Sequence, residues 1–386
     1  MSDMRVLFLT GEFPPMQGGV GDCTNETARA LAARGVDVGV LTSDKAKSVD
    51  LHPSSFRLHP LVKSWDWSSL RIIAQTIREF QPSIVHLQFQ TAAFGMHPAI
   101  YFAPRLLSRN GKFAITFHDL RPPYLFPKAG FLRDWITRYL ARSCDAVIAT
   151  NDEDYLELGT WDLGFVSLIP IGSNIPTTPP PNYQTTEWRR QLGVKDNETL
   201  LCYFGFLNEA KGGETLIRAL ALVPNAKLLM IGGQVGASDP TNAAYLARVK
   251  ALIGELGLTQ RVLWTDYTPP EIVTANFLAS DICVLPYREG ASFRHGTLMA
   301  ALAHGMPIIT TMPHVETLHA TSLRDGINCL LVPPNDPRAL ADAIHRAMAS
   351  PDLRARIGAG ARELAQQFTW DKIAQQHLAL YQQILQ

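Results

Sequence analysis

The sequence predicts an α/β protein of two similar domains, each a mainly parallel sheet covered by helices. Three observations carry this. The chain has 386 residues, and an ordinary domain takes about 150. Short apolar runs alternate along its whole length with segments whose apolar residues recur at i, i+3 and i+4, the pattern of βαβ units. One proline-rich break divides the runs into two sets.

The first set of expected strands is Arg5–Thr10, Val36–Thr42, Ile84–Gln88, Phe113–Phe117 and Ala146–Thr150. The second is Leu200–Gly205, Lys227–Ile231, Arg261–Trp264, Ile282–Leu285, Pro307–Thr310 and Cys329–Val332. Helical spacing shows between them, as in Ala28/Leu31/Ala32 and Leu216/Leu220. Eleven strands are too many for one small doubly wound sheet. The break, PIGSNIPTTPPPNYQTT, runs from Pro170 to Thr186 with prolines at 170, 176, 179, 180 and 181. These fix φ and remove backbone donors, so neither sheet nor helix passes through. The expected division is 1–172, a linker 173–186, and 187–369. A final helix, Trp370–Leu385, carries Ile373, Leu378, Tyr381 and Leu385 at helical spacing. That pattern lets it cap the second domain or pack on the first.

Composition excludes several classes. Hydrophobic residues are 46% and charged residues 18%, which argues against disorder and fibrous repeats. Lys plus Arg is 35 and Asp plus Glu is 35, so there is no global footprint for nucleic acid. No apolar stretch is long enough to span a bilayer. The apolar run Val6–Leu9 is too short for a signal-peptide core. Five cysteines (23, 144, 202, 283 and 329) form an odd, scattered set without a CxxC pair, which reads as reduced thiols in the cytoplasm.

Two loops suit phosphate. After the first strand, GEFPPMQGGVGDCTNETARALAARG places Gly18, Gly19 and Gly21 before a helix that ends at Gly35. Asp22 or Thr24 is its candidate cap, and its free N–H groups would face an anion. The second domain opens with LLCYFGFLNEAKGGETLIRAL, where Lys211 precedes Gly212-Gly213 and a helix. Each loop follows the first strand of its domain, where open α/β sheets bind ligands.

These residues resemble glycosyltransferase family 4. The resemblance is carried by the GG loop, the Lys-Gly loop, ALAHGMPIITT (301–311), PIGSNIP, RDGINCLLVPPNDPRALADAI (324–344) and FTWDKIAQQHLALYQQIL (368–385). It implies the GT-B fold, two Rossmann-like domains facing across a cleft, with the last helix returning to the first domain. It implies a retaining transferase that moves a sugar from a nucleotide-sugar donor, held by the second domain, to a glycan, lipid or small-molecule acceptor on the first. The family's paired Glu are absent: the corresponding positions are Ser292 and Ala300, and the family Arg is Phe206. Lys211, Arg288, Ser292, Arg294, Gly296, Thr297 and Glu316 are the candidate donor-binding residues. His118, at the end of the strand Phe113–Phe117, would position the transferred sugar. Glu12 and Asp119 are the other acids at that edge. A non-catalytic sugar-nucleotide or glycan binder, or an enzyme of other chemistry such as an epimerase, is the alternative on this fold.

The run Asp152-Glu153-Asp154 reads as a helix first turn rather than a metal motif. His314 and His319 have no metal-ligand spacing, and no obligatory metal or other cofactor is expected. Segment 97–142 holds basic residues at 105, 109, 112, 121, 128, 133, 138 and 142 against Asp119 and Asp134, with interleaved aromatics. It is a candidate for peripheral contact with an anionic membrane.

Overall fold

The computed structural model describes residues 4–16, 18–48, 55–108, 111–120, 130–234, 241–314 and 322–386; for 47, 48, 130, 131, 133 and 241 it describes the backbone alone. The chain divides into two compact units, Met1–Gly172 with Trp370–Gln386, and Ser173–Thr369.

The first unit runs β1 (Arg5–Thr10), α1 (Gly19–Ala32), β2 (Asp37–Ser43), β3 (Arg57–Val62), α2 (Ser69–Phe80), β4 (Ile84–Phe89), α3 (Ala99–Leu107), β5 (Lys112–Phe117), α4 (Gly130–Arg142), β6 (Ala146–Ala149), α5 (Asp152–Gly159) and β7 (Phe165–Leu168). Its sheet has the order β3-β2-β1-β4-β5-β6-β7, with every pair parallel. Both faces of β1 are covered: Val6, Leu7, Phe8 and Leu9 are fully buried. That is why its sequence is a continuous apolar run.

Two strands, β3 and β7, were not expected. Both are edge strands; β3 contains Pro60, and both show mostly half-exposed positions. An edge strand needs no continuous apolar run, and it tolerates proline.

The second unit runs α6 (Thr185–Gln191), β8 (Thr199–Phe204), α7 (Gly213–Ala221), β9 (Ala226–Ile231), α8 (Thr241–Glu255), β10 (Val262–Trp264), α9 (Pro270–Ala279), β11 (Ile282–Leu285), α10 (Gly296–Ala303), β12 (Ile308–Thr311), β13 (Leu330–Val332), α11 (Pro337–Ala349) and α12 (Pro351–Ala365). Its strand order is β10-β9-β8-β11-β12-β13. In each sheet the order reverses beside the first strand, at β1/β4 and at β8/β11. Ligands of doubly wound sheets bind at such switch points, off the carboxyl ends of the strands.

The last helix, α13 (Trp370–Leu385), belongs to the first unit. Its buried face is Ile373, Ala374, His377, Leu380, Tyr381 and Ile384, and it joins the core of Val6, Phe8, Ala28, Leu31 and Ile84. Leu385 lies off that face, 42% exposed, because the stripe follows 373, 377, 380, 381 and 384. Burying Ile373, Leu380 and Ile384 stabilises this docking by about 5–9 kcal/mol at most. Arg34, in the turn that follows α1, adds a 2.7 Å ion pair to Asp371.

Candidate active site

In the second unit the site is built around the end of β8. Gly205 turns the chain at φ 112°, and a Cβ there would lie 2.6 Å from Thr297 Cγ2 and 3.1 Å from Lys211 Nζ. Three segments therefore meet at this glycine: the β8 loop, Lys211 and the start of α10. Asn208 fixes the lysine, since its side-chain oxygen accepts from Lys211 N at 3.1 Å and caps the turn Glu209–Lys211. Gly212 follows at φ 69°, against the Pro286 carbonyl, where a Cβ would overlap.

Burial lowers the Lys211 ammonium to about 8. Among the described residues no carboxylate pairs with it. A cation desolvated in this way is stabilised by an anion that arrives from outside.

The Thr297 hydroxyl shares a 2.7 Å hydrogen bond with the Tyr287 hydroxyl. The His295 ring stacks on Tyr287 at 3.9 Å and occupies the N-cap position of α10. Ser292 is buried, and its N–H donates to His295 Nδ1 at 3.3 Å. Gly296 opens α10, and nothing lies within 4 Å of where its Cβ would be.

The two arginines differ. Arg288 donates to Glu209 at 2.5 Å and to Asn335 at 3.0 Å, with its side chain 40% exposed. Arg294 is more enclosed, 11% exposed, with Glu289 at 3.6 Å. Ala300 is fully buried within α10. The Phe206 ring packs against Gly233. Glu316 and His319 lie outside the described residues.

In the first unit α1 begins at Gly19 with Gly18 as N-cap, and neither Asp22 nor Thr24 caps it. Asp22 lies in the first turn instead, and Thr24 donates back to Val20 O at 2.7 Å. The anion position expected at Gly18–Gly21 is filled from within. Glu12 Oε1 accepts from Val20 N at 3.1 Å and from Gly21 N at 3.4 Å. A Cβ at Gly18 would overlap this carboxylate, and one at Gly21 would lie 3.0 Å from Glu12 O. Burial raises the Glu12 carboxyl, while the two N–H groups pull it down. The sequence motif did not reveal this occupant, because Glu12 reaches the helix across the intervening turn.

His118 follows β5 and is half-buried. Its Nε2 lies 2.7 Å from Gln88 Oε1, near the end of β4. Burial, with His377 nearby, lowers its imidazole to about 4 and holds it neutral at physiological pH. The run Asp152–Asp154 forms the first turn of α5, with Asn151 as its cap. No metal-ligating cluster occurs among the described residues.

Residues 18–171 match the family described as Glycosyl transferase 4-like domain, and residues 184–364 match Glycosyl transferases group 1. A D-inositol 3-phosphate glycosyltransferase of Xylanimonas cellulosilytica is 32% identical, over 98% of this chain and 96% of that protein. The chain belongs to the group 1 glycosyltransferases. The fold agrees with that membership. Sucrose-phosphate synthase from Thermosynechococcus elongatus superposes with a TM-score of 0.77 at 24% identity, covering 99% of each chain. Anabaena HepE, solved with UDP and glucose, gives 0.77 at 20% identity, over 99% of this chain and 100% of that one. This glycosyltransferase thus has two Rossmann-like domains of the GT-B type.

Proposed function

We propose that this glycosyltransferase moves a sugar from a nucleoside diphosphate sugar to an acceptor hydroxyl, with retention at the anomeric carbon and without a metal. The carrying observation is Lys211: an enclosed ammonium at the β8/β11 switch point, with no carboxylate beside it among the described residues. A pyrophosphate supplies the missing charge. N–H groups at Gly296 and Thr297 and the fork of Arg294 complete its neutralisation. As the glycosidic C–O bond breaks, charge grows on the departing phosphate, and Lys211 stabilises it most at that stage. The acceptor hydroxyl enters on the face that the diphosphate leaves, and its proton passes to a phosphate oxygen. His118, neutral, holds a sugar hydroxyl by a hydrogen bond.

HepE, of the same fold, was solved with UDP-glucose, which supports a nucleotide-sugar donor. On the acceptor side, Glu12 already occupies the N–H groups of α1, so hydroxyls of the acceptor meet a carboxylate there. An acceptor in a lipid surface is favoured by a ladder of aromatics in the first unit. Trp67 lies against Phe102 (5.7 Å), Phe102 against Tyr139 (5.4 Å), and Tyr139 against Trp135 (5.7 Å). Both tryptophans are more than half exposed. Arg105 and Arg142 line an open groove of about 490 Å³ beside Trp135 and Tyr139. No helix among the described residues is long and apolar enough to cross a membrane.

A thermal-shift panel of UDP-, GDP-, ADP- and TDP-glucose, followed by transfer assays with the best donor, tests the reading. One donor class is expected to stabilise the protein, and the anomeric product is expected to keep the donor's configuration. Inverted product, or no stabilisation by any nucleotide sugar, removes the proposal.

A further inference from the structure

One face of the first sheet carries a polar strip that the reading above does not use. On β4, Val85, Leu87 and Phe89 join the apolar core on one side. Ile84, His86 and Gln88 therefore share the other face. On β5 the neighbours across the register are Ala114 beside His86 and Thr116 beside Gln88. α13 covers this strip with His377 and Tyr381, both buried.

The strip is one connected hydrogen-bond chain. His118 Nε2 meets Gln88 Oε1 at 2.7 Å. Gln88 Nε2 meets His86 Nε2 at 3.3 Å. His86 Nε2 also meets Thr116 Oγ1 at 2.8 Å, and His86 Nδ1 meets Tyr381 Oη at 2.6 Å. His86, Gln88, Thr116 and Tyr381 are each at most 4% exposed. Apolar side chains would fill the same space without the desolvation cost of these groups. A strip that ends on a single half-buried histidine points to a role in placing that histidine.

The direction of the chain follows from the Gln88 amide. Its carbonyl faces His118 and accepts, so His118 carries its proton on Nε2. Its NH2 faces His86 and donates, so His86 carries its proton on Nδ1 and donates to Tyr381. Nδ1 of His118 has no partner among the described residues and presents a lone pair.

We infer that Gln88 is the positioning residue of His118: backed by His86 and Tyr381, it fixes the Nε2–H tautomer and leaves Nδ1 to accept from a hydroxyl of the bound sugar. This rests on His118 belonging to the transfer site, and it adds the sense of that contact, an acceptor rather than a donor. Desolvation lowers all three imidazoles, His118 and His377 to about 4 and His86 well below its usual range, so each is neutral while the chain holds.

The test uses the full chain. Nitrogen–proton correlation spectra of ¹⁵N-histidine protein at neutral pH distinguish the two tautomers, and His118→Ala identifies the signal. His118 is expected with its proton on Nε2 in the wild type, and as a mixture in Gln88→Met. With the donor chosen by the nucleotide-sugar panel, Gln88→Met is expected to lower kcat about ten- to a hundredfold, the range for an outer partner of a ligand-holding histidine. KM should stay within about threefold, because the contact strengthens in the transition state. Gln88→Glu still accepts from Nε2–H but cannot donate to His86, so it should recover only part of the loss. A proton on Nδ1 of His118 in the wild type overturns the inference, with no variant needed. An inactive His118→Ala beside a fully active Gln88→Met also overturns it. Full activity in both variants shows instead that His118 lies outside the site, so the parent reading has failed first.

Discussion

Replacing Lys211 with Met keeps the length of the side chain and removes its charge. In the free protein burial brings the ammonium from 10.5 to about 8. At about 1.36 kcal/mol per pKa unit, this corresponds to about 3 kcal/mol of opposition to folding. The sign is fixed by direction: the folded value lies below the unfolded one. The penalty is therefore complete below pH 8 and vanishes as pH rises toward 10.5. Lys211→Met removes it, so the unliganded variant is expected to melt several degrees higher than the wild type. If Lys211 holds the donor pyrophosphate as proposed, the same change removes a charge-assisted contact, typically about 1.5–3 kcal/mol, or about ten- to a hundredfold in Kd. Wild-type affinity for the nucleoside diphosphate should hold up to about pH 8 and fall above it as the free lysine loses its proton. The variant's weaker affinity should not show that fall. Calorimetric titration with the diphosphate of the best donor, at pH 7 and pH 9, and melting without ligand, measure all of this. Wild-type affinity in Lys211→Met, or a variant that melts lower, would refute the assignment of Lys211 as the waiting cation.

Arg294→Ala is expected to weaken nucleoside diphosphate binding by about 2 kcal/mol, and Arg288→Ala by less than about 1, because Arg288 is already held by Glu209 and Asn335; calorimetry on both variants ranks them, and the reverse order moves the role to Arg288. Gly205→Ala places a Cβ 2.6 Å from Thr297 at φ 112°, so a loss of about 1–3 kcal/mol in stability and weaker donor binding should appear together in melting and titration. Transfer activity is expected to survive EDTA, and a loss restored by Mg²⁺ or Mn²⁺ would locate a metal not accounted for. The protein is expected to co-sediment with anionic vesicles at low salt and to release as salt rises; Trp67→Ala with Trp135→Ala should weaken this, and equal binding to neutral vesicles would argue against a charged surface.

The central strands were legible because burial on both faces writes itself as an unbroken apolar run, as in Val6–Leu9 and Ile282–Leu285. The edges were not, since Pro60 and the half-exposed residues of β7 leave no such signature. Glycine spacing located the loops at Gly18–Gly21 and Lys211–Gly213, for a loop that turns sharply onto a helix constrains nearby residues. What fills a loop is different information. Glu12 caps α1 through a contact eight residues long in sequence, and Tyr381 reaches His86 across 295 positions. Within VHLQF, His86 and Gln88 read as ordinary members of a buried strand. Only pairing of β4 with β5 and docking of α13 show what they touch.

The return of α13 to the first unit has a consequence for how the chain is made. Residues 5–168 contain all seven strands of the first sheet, yet the helix that covers Phe8, Ile84 and His86 comes only at Trp370–Leu385. At translation rates of about 5–20 residues per second, the intervening stretch of about 200 residues takes on the order of 10–40 s to synthesise. For that time the nascent first domain offers an uncovered apolar groove with a buried polar strip laid open to water. The second unit, continuous from Ser173 to Thr369, meets no such delay. Synthesis and completion therefore run in opposite orders: the domain that begins first is the one that must wait.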